Sequence, residues 1–168
     1  MMSTSGSALV RLFCMSCVAF CCLPPSASNA QSRQTFDLTT CHAGQVKTVF
    51  QDKDVTLMSA EGRGIVMSNQ GSTALDNSTF QVVATIRAVG QTLTEVGYVK
   101  LTDPDGDVIL MEMSRSGSEH TSTFFHGTGK WKGISGSGKG KYIAFRRMQP
   151  DWAAACSKSV WTIELPAR

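Results

Sequence analysis

Six glycines crowd the stretch from Gly127 to Tyr142, GTGKWKGISGSGKGKY, and only Trp131 and Ile134 put large apolar side chains between them. Glycine at this density forfeits backbone entropy, so it marks a chain that must bend, bulge or let another part of the molecule come close. Strand-like runs flank it, STFFH before and KYIAF after. The stretch reads as the tightly curved part of an antiparallel barrel. Its other reading is a phosphate-binding loop, since Gly133 to Gly140 (GISGSGKG) nearly fits that pattern. Gly140 stands where a Ser or Thr would hold magnesium, and a strand pattern follows where a helix amino terminus should receive the phosphates. Nucleotide binding is therefore set aside.

Strand signals fill the rest of the chain. Thr79 to Ala88 (TFQVVATIRA) alternates with period two, placing Phe80, Val82, Ala84 and Ile86 on one face. Further candidate strands are Phe36 to Cys41, Gln45 to Gln51, Val55 to Met67, Gln91 to Thr102, Asp107 to Met113, His120 to His126, Lys139 to Arg147 and Ser159 to Leu165. The Val89-Gly90 and DPDG turns suit hairpins. Pro150 to Ala155 is the only candidate helical turn. Simple closure of a barrel needs an even strand number, so one of these candidates is a bent continuation of its neighbour.

Residues 1 to 30 have the layout of an export signal. Arg11 is their only charge, Leu12 to Leu23 is an apolar core, Pro24 and Pro25 break it, and Ser28-Asn29-Ala30 offers small residues for cleavage. The apolar run is short for a membrane span. Four of the six cysteines, Cys14, Cys17, Cys21 and Cys22, fall inside this segment. Phe20 makes a poor lipoprotein signal before Cys21. Cys41 and Cys156 remain in the mature chain, and in an exported protein two cysteines suggest one disulfide. First and last strands are neighbours in a closed barrel, so this bond would clasp the seam.

Without Arg11 the basic residues fall from 16 to 15 against 13 acidic ones, too balanced for a nucleic-acid protein. Lys130, Lys132, Lys139 and Lys141 gather near Trp131 and Tyr142 as on a polyanion-binding surface, but a solvated glycine-rich loop explains them more simply. Asp103, Asp105 and Asp107 alternate as in a calcium loop, yet Val108 replaces the required glycine and Ser114 the closing glutamate. An Asp-rich hairpin turn fits better. His42, His120 and His126 lack metal-ligand spacing and read as ordinary half-exposed histidines. No metal or other cofactor is expected.

Glu112 stands out because its strand, VILMEM, is apolar on both faces. A shielded carboxylate needs a partner or a proton. Counting outward from the DPDG turn sets Tyr98 opposite Glu112, with Lys100 one diagonal step away. Tyr98, Lys100 and Glu112 are thus a candidate polar cluster, either fixing strand register or lining a ligand cavity. No GxSxG elbow and no free Cys-His pair supports nucleophilic catalysis, and no catalytic residue is assigned.

The Gly127 to Tyr142 run resembles the glycine signature near the end of allene oxide cyclase-like and dirigent-like barrels. Gly127, Gly129, Gly133 and Gly136 carry the likeness as a structural motif. The run YVKLTDPDGDVILMEM is similar to the central hairpin of small proteobacterial exported proteins related to that group. The resemblance covers Thr79 to Phe145 and implies an eight-stranded barrel with an interior cavity. No residue here matches the cyclase's catalytic carboxylate or the dirigent acidic pair, so neither reaction is carried over.

The expected architecture is a signal peptide over 1–30, then a single all-β domain over 31–168, an antiparallel barrel of about eight strands, allene oxide cyclase- or lipocalin-like. The expected function is a small exported, periplasmic or secreted module that binds an apolar or amphipathic small molecule, or serves a structural or interaction role, without catalysis. The alternative is a cyclase-type isomerase working on an apolar substrate in the cavity. Nucleic acid and, once the signal is cleaved, membrane are not expected as partners. Self-association is left open.

Overall fold

The computed structural model describes residues 31–167, so the export signal expected over 1–30 lies outside the described residues. Eight strands form one closed barrel in which each pairs antiparallel with its sequence neighbour and the last pairs with the first. They are β1 (Ser32–Gln51), β2 (Val55–Ser68), β3 (Thr79–Val89), β4 (Thr92–Thr102), β5 (Val108–Ser116), β6 (Glu119–Gly127), β7 (Ser135–Gln149) and β8 (Trp152–Leu165). A single 3-10 turn, Gly129–Trp131, interrupts the strands among the described residues.

Two candidate strands of the sequence are one. β1 runs 20 residues through Cys41 to Gln45 and pairs with both β2 and β8 along that length. The candidate helical turn at Pro150 to Ala155 is corrected: Pro150 and Asp151 form a tight turn and β8 begins at Trp152. Ala153 and Ala155 face inward there, paired with Gly44 and His42 of β1. Hydrogen bonding to strands on both sides overrides alanine's preference for helix.

Period-two alternation sends one face of every strand into the lumen. One end is packed solid: Leu38, Val66, Leu101, Ile109 and Ile163 are completely buried, with Phe36, Phe124 and Trp161 around them. Leu75, from the loop between β2 and β3, and Trp131, from the 3-10 turn, close that end.

The Asp-rich turn locks the closure. Asp103 accepts the amides of Asp105 and Asp107 at 2.9 and 3.0 Å, the Trp131 indole N–H at 2.7 Å and the Lys130 ammonium at 2.9 Å. Burial alone would raise the Asp103 carboxyl, but these donors together hold it below the ordinary carboxylate range. Lys130 and Trp131 are therefore parts of a plug rather than of a polyanion surface, and Tyr142 points into the lumen.

The glycine run makes the curvature. Gly136 has φ +117 where its Cα face meets the Thr162 carbonyl, a conformation and an approach that a side chain would prevent. Gly127, Gly129 and Gly133 shape the turn that carries Trp131 under the barrel end. At the seam Cys41 and Cys156 sit directly opposite each other on β1 and β8, their Cα atoms 4.1 Å apart, and are bonded.

Candidate ligand site in the barrel lumen

Tyr98 and Glu112 pair in register, as counting from the DPDG turn places them, but on the outer wall. Tyr98 is 56% exposed and sets its ring edge against Phe125, 6.2 Å between centroids. Glu112 and Lys100 are exposed as well. Among the described residues no hydrogen bond joins Tyr98 to Glu112. The expected shielding of Glu112 is corrected: Ile109 and Met111 supply the inward face of β5, and the apolar Val108 and Leu110 that share Glu112's face are only half-buried outside. Tyr98 and Glu112 border an open depression of about 680 Å³ on the outside of the barrel, not the lumen.

The enclosed polar groups lie elsewhere. One cross-strand row runs through five strands with Glu95 opposite Arg115, Arg115 opposite His120, His120 opposite Gly140 and Gly140 opposite Ser159. All of these face inward. Arg115 donates from a terminal nitrogen to Glu95 at 3.1 Å and from Nε to the Gly117 carbonyl at 2.8 Å. Its guanidinium lies 4.5 Å from the centre of the Tyr142 ring, within range of a cation–π contact. Tyr142 in turn packs against His120 at 5.4 Å and His42 at 6.3 Å between ring centroids. His42 and His120 are thus lumen residues rather than half-exposed surface histidines. His126 is exposed.

The glycines of β7 make room for this row. A Cβ at Gly140 would run into the His120 ring and the Ser159 hydroxyl, and one at Gly138 into the Trp161 indole. His120 Nε2 and Ser159 Oγ stand 3.4 Å apart. Thr40 and Ser157 hydroxyls meet at 2.8 Å nearby.

Desolvation dominates the electrostatics. Burial, reinforced by the Arg115 charge, lowers His42, and burial, Arg115 and His42 lower His120. Both imidazoles are therefore neutral near neutral pH. Burial raises the Glu95 carboxyl more than Arg115 lowers it, and burial followed by the Glu95 charge raises the Tyr142 phenol. The layer carries one internally paired plus and minus among neutral donors and acceptors.

Two partly open cavities of about 50 Å³ each flank this layer. The one toward the packed end touches Phe80, Met111, Ser122, Ser157 and Trp161, and the one toward the opposite mouth touches Val46, Ile86, Ala153 and Ala155. His42, Glu95 and Tyr142 border both. His120 and Trp161 border the first cavity, and His120 Nδ1 and Trp161 Nε1 are buried without a protein hydrogen-bond partner. Among the described residues no three His, Cys, Asp or Glu side chains are arranged to hold a metal ion.

Sequence reasoning passed over Glu95 and Arg115, although a signal was there. Glu95 shares parity with Val99 and Leu101, and Arg115 with Ile109 and Met111. Each is a charged residue on an apolar face.

No protein-family model and no curated protein matches the chain. Solved structures do. The pterocarpan synthase dirigent protein GePTS1 is 10% identical, with 79% of this chain and 87% of that one aligned at a TM-score of 0.50. A conserved protein of unknown function from Rhodopseudomonas palustris, RPA1785, is 10% identical over 78% of this chain and 98% of that one, TM-score 0.46. A second pterocarpan synthase dirigent protein, PsPTS1, is 9% identical over 79% and 95%, TM-score 0.40. At these identities the likeness concerns the fold alone, and the closed eight-stranded barrel anticipated from the glycine run is the one it shares with the dirigent-like barrel group.

Proposed function

We propose that the protein is an exported, non-catalytic barrel that binds a small amphipathic molecule in its lumen. The observation that carries this reading is the convergence of His42, Glu95, Arg115, His120 and Tyr142, from five strands, on a layer bordered by two small cavities. A buried ion pair is a poor device for stability, since well-packed apolar residues of similar volume often do as well or better. Polar groups retained in such a place, beside space, suit recognition of a ligand's polar end while Phe80 and Met111 meet its apolar body. The Cys41–Cys156 bond supports an oxidising compartment and hence export.

A cyclase-type isomerase draws support from the same layer, where a raised carboxyl and two neutral imidazoles could exchange protons. Size favours the binding reading over it. Cavities of about 50 Å³ fall well below the roughly 300–1,000 Å³ of sites for drug-sized ligands. A long apolar substrate has no room, whereas one or two waters or a molecule of two or three heavy atoms fit.

The test is an NMR titration with ethanol, an amphipathic molecule of the size the cavities admit, observing methionine methyl and amide resonances. The expected result is a saturable shift of Met111, which borders the lumen cavity and not the outer depression. Shifts confined to outer-wall residues such as Val96 and Tyr98, or none at all, would overturn the reading.

A further inference from the structure

We propose that the β7–β8 hairpin is a docking surface for an anionic lipid membrane, its outer cations meeting headgroup phosphates and its exposed apolar residues entering the acyl boundary. This docking is independent of lumen binding and departs from the expectation that the mature chain has no membrane partner.

Charge of one sign is concentrated there. From Lys139 to Lys158 the hairpin carries five cations, Lys139, Lys141, Arg146, Arg147 and Lys158, against one acid, Asp151. Among the described residues no ion pair joins any of the five to an acid. Alternation with the inward Gly138, Gly140 and Tyr142 puts Lys139 and Lys141 on the outer wall. Lys141 stands directly opposite Lys158, and Arg146 opposite Ala154. Like charges placed directly across a sheet destabilise it, so strand pairing does not account for the two lysines. The acids nearest in register do not answer them: Glu119, opposite Lys141 on β6, makes no ion pair with it, and Asp37, opposite Val160, accepts from the Asn69 side-chain amide at 2.7 Å.

The same hairpin leaves apolar surface uncovered. β6 pairs with β7 only as far as Lys141, so from Ile143 onward β7 has a strand partner on one side alone. Every residue from Ile143 to Trp152 is exposed. Ile143, Phe145 and Met148 are 54%, 63% and 61% exposed, and Trp152 is 37% exposed. Another strand is poorly suited to cover them. The ladder is irregular at Ile143 and at Met148, and Arg146 and Arg147 lie between, the devices by which sheet edges resist strand addition. A soluble polyanion would meet the cations and leave Ile143 and Met148 in water. A lipid surface meets both, since basic residues with Trp and apolar side chains bind the headgroup–acyl boundary, and the sign of the charge selects anionic lipid.

The experiment mixes the intact mature protein with vesicles of phosphatidylcholine, alone or with an equal share of phosphatidylglycerol, and sediments them. Each basic side chain at an anionic surface is worth about fivefold, so three or more should make binding to the mixed vesicles at least about 100-fold tighter. Trp131 and Trp161 are buried, so a blue shift of tryptophan emission on vesicle addition reports Trp152. Arg146→Gln with Arg147→Gln, and Lys141→Gln with Lys158→Gln, should each weaken binding about 30-fold. Met148→Ser should weaken it about tenfold. All five positions are exposed, so none of these variants should lower the thermal midpoint.

Equal binding to both kinds of vesicle, or to neither, would overturn the proposal. Heparin binding that Lys141→Gln with Lys158→Gln removes, without vesicle binding, would assign the surface to a soluble polyanion instead. Self-association relieved by Met148→Ser, again without vesicle binding, would assign it to a second copy of the chain.

Discussion

Glu95 and Arg115 occupy directly paired positions on β4 and β5, inside the barrel, and their charges meet at 3.1 Å with side chains only 8% and 15% exposed. Tyr142, His42 and His120 are arranged around that pair. Tyr142 lies under the guanidinium, and the two histidines take their shifts from burial and from the same cation.

Breaking this pair from one side should be costly. Glu95→Leu leaves Arg115 buried without its counter-charge and should lower stability by about 3–5 kcal/mol in urea unfolding. The double substitution Glu95→Leu with Arg115→Met should recover most of that loss, because both charges and both desolvation penalties go together. A double variant as unstable as the single one would show that the pair matters for more than its mutual compensation.

The lumen also sets a pH dependence. His42 and His120 are depressed below their ordinary value of 6.5, so the unfolded chain takes up protons before the folded one does. Their contribution is complete above about 6.5 and declines as pH falls toward the folded values. Glu95 is raised, which works in the opposite direction: its contribution is complete below the unfolded value and is lost as pH rises through the folded one. Unfolding midpoints measured from pH 7.5 to 5 should fall with acidification. His120→Gln should flatten that slope and Glu95→Gln should steepen it.

The clasp between Cys41 and Cys156 links positions 115 residues apart. Removing it with Cys156→Ser should lower stability by about 2–5 kcal/mol, seen as a reduced thermal midpoint, with the low-temperature sheet signal intact. Non-reducing peptide mapping should recover the two cysteines in one linked pair. Finding both alkylated without reduction would sink the bond.

Glu112 stands on the outer wall, which predicts a silent site. Glu112→Gln and Glu112→Leu should each move stability by no more than about 0.5 kcal/mol. A loss of several times that from Glu112→Leu would mean that an outside partner covers the residue.

Export makes a prediction about the chain's end. Protein recovered from the periplasm or medium should begin at Gln31 by mass spectrometry, and an intact Met1 there would falsify cleavage after Ala30.

Strand alternation, the turn at DPDG, the glycine run and the two mature cysteines were enough to read a closed antiparallel barrel, its seam and the register of Tyr98 with Glu112. Each is a local property: side chains two apart share a face, and a tight turn fixes which residues oppose each other. Period two says which residues lie together, not which face is inside. In β3 the polar partners of Phe80, Val82 and Ile86 settle the matter. In β5 both faces are apolar near the turn, so Glu112 and Arg115, three residues apart and on opposite faces, compete for the interior on equal terms. Closure gave the interior to Arg115, because its neighbour across β4 is Glu95 and its neighbour across β6 is His120. The polar layer joins groups from Thr40 to Ser159, and those of β1, Thr40 and His42, reach the others only when β8 meets β1. Barrel closure sets those distances, and no spacing within one strand encodes them.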